Sequence, residues 1–300
     1  RPKPLETLAK RRGPIGASCH GVVRESGVGP LEGLESLDVP LARGKYLLDR
    51  ALFRGTRTTI YAAWHASLDR TVWIELGRRG VAVRHRSLSG LESPGLPRIF
   101  ELGWDEERGP FAVMEALTGR SLTERVLLSG RRLGVVEMAF LGQEILTHLD
   151  LLHDTGRTHA ELDPDHVWLP RRRGGVRIAF HPLQDEQHGG VVSRSSPYHA
   201  PEQLRMGAGI DLRTDLYRLA ATLYFALTGH PPFAADDDEA LDARIRRGGH
   251  APPSVHGAFG RDLDDFFARA LAADPSDRFL DVTEMGRALR LAALFHGYGS

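Results

Sequence analysis

The sequence predicts an α+β chain in which a small antiparallel β lobe is followed by a larger α-helical lobe. Two observations carry this. From Lys45 to Glu115 the apolar residues fall in short runs rich in β-branched and aromatic side chains, separated by polar turns. After Glu115 they recur at spacings of three and four, the signature of helices with one buried face. A hydrophobic fraction of 41% supplies an ample core for 300 residues, and 26% charged residues is ordinary for a globular surface.

Each element follows in order. Residues 1–43 are rich in Gly, Pro and Arg with weak periodicity, apart from one turn through Leu31, Leu34 and Leu37, and are expected to be an extension or docking arm. Strands are expected at Lys45–Ala51, Thr58–His65 and Thr71–Leu76, split by turns at Gly55 and Asp69, then at Ile99–Trp104 and Phe111–Glu115 around the polar turn 105–110. Met138, Leu141, Ile145, Leu149 and Leu152 mark a helix ending at Gly156. Leu216, Leu219, Leu223 and Leu227 mark a second, stopped by Gly229-His230-Pro231-Pro232. Leu263, Phe266, Phe267 and Ala270 mark a third, and Val282, Met285 and Leu289 open a fourth. Met138 and Met285 are read as core, and Trp64, Trp104 and Trp168 as packed strand residues.

Composition narrows the function classes. Lys+Arg and Asp+Glu balance at 39 each, which gives no long-range positive field of the kind that gathers nucleic acid. The one cysteine, Cys19, excludes an internal disulfide framework and a thiolate zinc cluster. No apolar run reaches the ~20 residues that span a bilayer, and Arg1-Pro2-Lys3-Pro4 opens no secretory leader, so a cytoplasmic protein is expected. Lysine occurs only at Lys3, Lys10 and Lys45, which leaves 39 − 3 = 36 arginines. Beyond residue 45 there is no lysine to act as a catalytic amine or a phosphate-binding point charge.

From Lys45 to about Leu294 the chain resembles a bacterial Ser/Thr (Hanks-type) protein kinase domain, with the small lobe at 44–115 and the large one at 116–300. Val113-Met114-Glu115 resembles the hinge, with Met114 at the gatekeeper position. Ala200-Pro201-Glu202 matches the A-P-E signature, and Asp215 stands at the central-helix aspartate. Asp274-Pro275-Ser276-Asp277-Arg278 resembles the late D-P-x-x-R motif, whose arginine pairs with the A-P-E glutamate. The resemblance thus implies a structural pair of Glu202 with Arg278.

The positions that carry chemistry depart from the family. Phosphoryl transfer there relies on a Gly-rich flap, a strand lysine, an aspartate base, and Asp and Asn ligands for Mg²⁺. Here the flap reads Phe53-Arg54-Gly55-Thr56-Arg57-Thr58, keeping the middle glycine alone. The V-A-I-K strand reads Val72-Trp73-Ile74-Glu75: a carboxylate replaces the lysine, and Trp73 stands where a small residue roofs the adenine pocket. In the loop His159-Ala160-Glu161-Leu162-Asp163-Pro164-Asp165-His166 the base is Glu161, the loop lysine is Asp163 and the metal-ligating asparagine is His166. Phe180 replaces the D-F-G aspartate, ahead of His181-Pro182. The fold-maintaining positions stand while the catalytic ones are lost, and the reading is a pseudokinase: a scaffold or regulatory subunit working through other proteins, with no cofactor.

The partners expected are an active kinase, a phosphopeptide-binding module or subunits of a larger complex. Counting back from Ser93-Pro94 puts the C-helix glutamate at Arg84, implying a charge-reversed pair with Glu75 and a stunted C helix, or two solvated charges. Ser193, Ser195 and Ser196 are candidate phosphosites, and Arg171-Arg172-Arg173 is either a phosphate contact or a solvated hairpin tip. The alternatives kept are an atypical nucleotide- or metal-dependent transferase centred on Glu161 and His166, and a nucleotide-sensing switch without catalysis.

Overall fold

A computed structural model describes residues 39–54, 58–77, 93–170, 175–179, 195–205 and 207–296. These fall into two compact units. One holds the described residues before Ser93 together with Pro97–Arg120; the other holds Ser93–Leu96 and the described residues from Ser121 onward.

The first unit is a six-stranded antiparallel sheet of β1 (Val39–Leu41), β2 (Tyr46–Arg54), β3 (Thr58–His65), β4 (Arg70–Gly77), β5 (Ile99–Asp105) and β6 (Gly109–Glu115), ordered β1-β2-β3-β4-β6-β5. The register of β3 on β4 is unbroken from Thr58↔Gly77 to His65↔Arg70. The turn between them places Asp69 at φ 52, a left-handed conformation that Asp tolerates better than most residues. Leu41, Tyr46, Leu48, Ala63, Val72, Ile74, Phe111 and Val113 form the core, and burying a large apolar side chain of this kind contributes about 1.5–3 kcal/mol.

Two expectations are corrected here. The sheet takes in Val39–Leu41, which the sequence reading left in the 1–43 arm: Leu41 is buried, and a turn with Ala42, Arg43 and Gly44 all at positive φ folds β1 onto β2. Trp104 is 58% exposed, not packed, because β5 is an edge strand and Trp104 lies beside its terminal turn.

Among the described residues a small sheet of β7 (Arg120–Ser121, at the boundary of the two units), β8 (Val167–Leu169) and β9 (Arg177–Ile178) precedes and follows the first of six α-helices of the second unit: α1 (Leu122–Leu127), α2 (Val135–His153), α3 (Leu212–Thr228), α4 (Asp238–Arg247), α5 (Arg261–Ala270) and α6 (Val282–His296). The centre is α3. Every residue from Thr214 to Thr228 is buried, as expected of a helix surrounded on all sides. Asp211 caps its N-terminus, and Gly229 at φ 75 ends it in the left-handed conformation that glycine adopts freely. Met138 and Met285 are fully buried.

Helix α1 opens on a capping box, Ser121 Oγ to Glu124 N–H at 3.2 Å and Glu124 Oε2 to Ser121 N–H at 3.2 Å. Of its residues, Leu122, Glu124 and Val126 are buried. The residues Ser93–Leu96 run against the helical unit. Ile178 N–H donates to Gly95 O at 2.6 Å, and a Cβ at Gly95 would lie 2.1 Å from the His148 ring.

Candidate functional site

The loop from His159 to His166 is organised from below by Asp215. In the first turn of α3, its carboxylate accepts the backbone N–H of His159 (2.8 Å) and of Ala160 (2.7 Å), and His153 Nε2 lies 2.8 Å away. Holding two successive amides to one carboxylate turns Ala160 to φ 58, an uncommon conformation for a residue with a Cβ. Gln203, in the 3₁₀ turn Pro201–Leu204, donates Nε2–H to Ala160 O at 2.7 Å and holds the turned peptide from its other side.

His159 is buried, and both of its ring nitrogens have defined roles. Nε2–H donates to Ala179 O at 2.8 Å, and Nδ1 accepts the N–H of Glu161 at 3.3 Å. That leaves a neutral ring, and burial, reinforced by neighbouring His166, pushes its pKa down to about 4. Asp163 folds the end of the loop, accepting Asp165 N–H at 2.9 Å and His166 N–H at 3.1 Å, with His166 Nδ1–H donating at 2.7 Å. Burial alone would raise the Asp163 carboxyl; the His166 imidazole and Arg218 outweigh it and hold the group well below the usual carboxylate range.

Behind the loop, Glu202 and Arg278 meet in a two-pronged pair, 2.8 Å for Nη1–Oε1 and 2.8 Å for Nη2–Oε2, and Thr214 Oγ1 donates to Glu202 Oε1 at 2.7 Å. Burial pushes Glu202 up, but Arg278 prevails and its pKa is lowered. Ser195 Oγ bonds to Asp242 of α4, and Ser196 N–H donates to His199 Nδ1 at 3.1 Å.

Glu75 is fully buried in the chain, and on β4 it stands between Ile60 of β3 and Ala112 of β6. Trp73 is buried on the same strand, opposite Ala62 and Met114, and Met114 is buried with it. Gly55, Arg84, Arg171–Arg173, Phe180 and Ser193 lie outside the described residues. Among the described residues, no group of three or more His, Cys, Asp and Glu side chains is arranged to hold a metal ion.

No protein-family model matches the chain. It is 29% identical to the Ser/Thr protein kinase Pkn1 of Myxococcus xanthus and 30% to PksC of Streptomyces coelicolor, over 84% and 85% of its own length. It spans 39% and 50% of those two proteins, and 68% of the kinase PknL of Mycobacterium tuberculosis, to which it is 28% identical over 86% of its length. Among solved structures it resembles the PknI kinase domain of Mycobacterium tuberculosis, with a TM-score of 0.66 at 24% identity, covering 87% of this chain and 99% of that one. It also resembles Rad53 in complex with AMP-PNP, with a TM-score of 0.68 at 22% identity, covering 85% of this chain and 65% of that one.

The fold is that of a protein kinase domain, and the chain's homologues are bacterial Ser/Thr protein kinases.

Within the kinase fold, Glu161, Asp163, His166, His159 and Asp215 come together in one loop and its support, and Glu202 with Arg278 form the implied pair. Sequence reasoning missed Arg218 and Gln203, which bond the loop backbone, His153, which bonds Asp215, and His199, which accepts the Ser196 N–H. Arg218 lies off the stripe of Leu216, Leu219, Leu223 and Leu227, so periodicity gave it the place of a solvated polar residue.

The same burial sets a pH dependence. His159, His199 and His250 have their pKa values lowered by burial to about 4, about 3 and about 4. The unfolded chain therefore binds protons first as pH falls below the ordinary histidine value. Their contribution is whole above about pH 6.5 and is lost toward pH 4, by roughly 2 kcal/mol per histidine at pH 5. Urea midpoints at pH 7.5, 6 and 5 should fall steeply; a flat profile would show that these rings are not buried neutral.

Proposed function

We propose that the chain is a kinase-fold module that acts as a scaffold or regulatory subunit through protein–protein contact, without phosphoryl transfer. The observation that carries this is Glu75: the strand position that holds a phosphate-binding lysine in the resemblance is a fully buried carboxylate on β4. A carboxylate there repels a triphosphate. Three further features support the reading. Trp73 is buried at the small-residue position of the same strand, the loop lysine is Asp163, and the ring at the asparagine position donates its Nδ1–H to that aspartate. These residues do not fit a magnesium nucleotide.

One observation favours the second reading, a transferase centred on Glu161 and His166. An aspartate receiving His166 Nδ1–H is the arrangement that orients an imidazole as a base or a metal ligand. Melting curves with ATP, with and without Mg²⁺ or Mn²⁺, separate the readings. A ligand at 100 times its dissociation constant stabilises by about 2.7 kcal/mol, a shift of several degrees. We expect no shift. A metal-dependent shift would sink the scaffold reading in favour of the transferase, and a metal-independent one in favour of a nucleotide-sensing switch.

A further inference from the structure

Arg218 sits near the start of the most buried helix and is itself 2% exposed. Removing a guanidinium from water costs several kcal/mol unless opposite charge and hydrogen bonds compensate it. The compensation lies in the loop above. Arg218 Nε donates to Leu162 O at 2.9 Å, and Nη1 donates to Gln203 Oε1 at 2.9 Å. Gln203 in turn donates to Ala160 O at 2.7 Å. One guanidinium thus grips the backbone on both sides of Glu161, directly at residue 162 and through Gln203 at residue 160.

The charges agree with this geometry. Leu162 O, which takes the Arg218 bond, lies between Glu161 and Asp163 in the chain, and burial, which disfavours the charged guanidinium, is opposed by Asp163, Glu161 and Asp215. The loop has an acid at 163, where the resemblance places a lysine, and the nearby buried cation comes from α3. We infer that Arg218 is the loop's relocated counter-ion: it balances Asp163 and Glu161 from beneath and clamps the loop backbone. Its charge is thereby committed inside the unit and withheld from a phosphoryl group at the loop surface. The inference goes beyond the scaffold reading and does not depend on it, because it concerns coupling within the folded chain.

A double-mutant cycle tests it: the parent, Asp163→Asn, Arg218→Gln and the double variant, each unfolded in urea at pH 7.5. Each single change should lower the folding equilibrium constant. The double should lose at least fivefold less than the product of the two single losses; smaller coupling overturns the inference. If a single variant fails to fold, a folded double supports the counter-ion, and an unfolded double overturns it. Arg218→Lys is a second check, because one amine cannot span both Leu162 O and Gln203 Oε1. It should fall between the parent and Arg218→Gln, because it keeps the charge but not both donors, and parent-like stability in the lysine variant overturns the clamp. Neither measurement uses nucleotide, so failure here and an ATP-induced melting shift would be separate results.

Discussion

Replacing Arg278 by methionine will cost about 3–5 kcal/mol of folding free energy, the range for breaking a buried ion pair by deleting one partner. The cost comes from what is left behind. Glu202 and Arg278 are 7% and 3% exposed, and the carboxylate would keep its bond from Thr214 while losing both guanidinium prongs. Three backbone carbonyls lose a donor as well: Ala272 at 2.8 Å, Ala273 at 3.2 Å and Arg213 at 3.2 Å. The guanidinium also lies 4.6 Å from the centre of the Tyr217 ring, a stacking contact that methionine meets only in part. Urea unfolding at pH 7.5 reads the loss, and a cost under 1 kcal/mol would show that the pair is not desolvated.

The pH dependence of that pair has a definite sign. The folded pKa of Glu202 is lowered, so its contribution is present above the ordinary glutamate value of 4.5 and disappears as pH falls below it. The difference between parent and Arg278→Met should therefore narrow in acid. Adding Glu202→Gln to the methionine variant should recover part of the loss, because it removes the buried charge.

Asp215→Ala is the second large effect. It leaves the buried amide of His159 and the half-buried amide of Ala160 without their acceptor; an orphaned buried donor costs roughly 1–3 kcal/mol, so about 1–3 kcal/mol is expected from His159, with a smaller addition from Ala160. Asp215→Asn keeps one carbonyl oxygen but turns an NH₂ donor toward the other amide, and should cost most of the same amount. The consequence is local as well as global. Ala160 is held at φ 58 by these bonds, so the loop should relax toward an ordinary conformation when they go. Hydrogen exchange at His159 and Ala160 reads this directly: protected in the parent, exchanging in the variant. Retained protection together with a cost under 1 kcal/mol would mean that Asp215 does not organise the loop.

Much of the architecture was open to a reader of the residues. Strand β3 runs over the very residues Thr58–His65 that the β-branched run marked, and the helical stripes at 138–152, 216–227 and 263–270 lie inside α2, α3 and α5. These elements are set by local periodicity, which the chain carries in itself. Helix α4 escaped because Leu241 and Ile245 are its only residues buried in the unit, too thin a stripe to stand out. The residue types at 75, 161, 163 and 166 are read from the sequence itself, because a residue type needs no coordinates.

What only the tertiary structure decided are partnerships between residues far apart in the chain. The sequence placed Arg218 on a helix but not beneath a loop some 55 residues earlier. It read Trp104 as packed because strand residues usually are, while the edge position of β5 leaves it exposed. The physical reason is the same in each case. Periodicity and capping are decided within one or two turns of chain, whereas the compensation of a buried charge depends on which distant side chain the packing brings beside it.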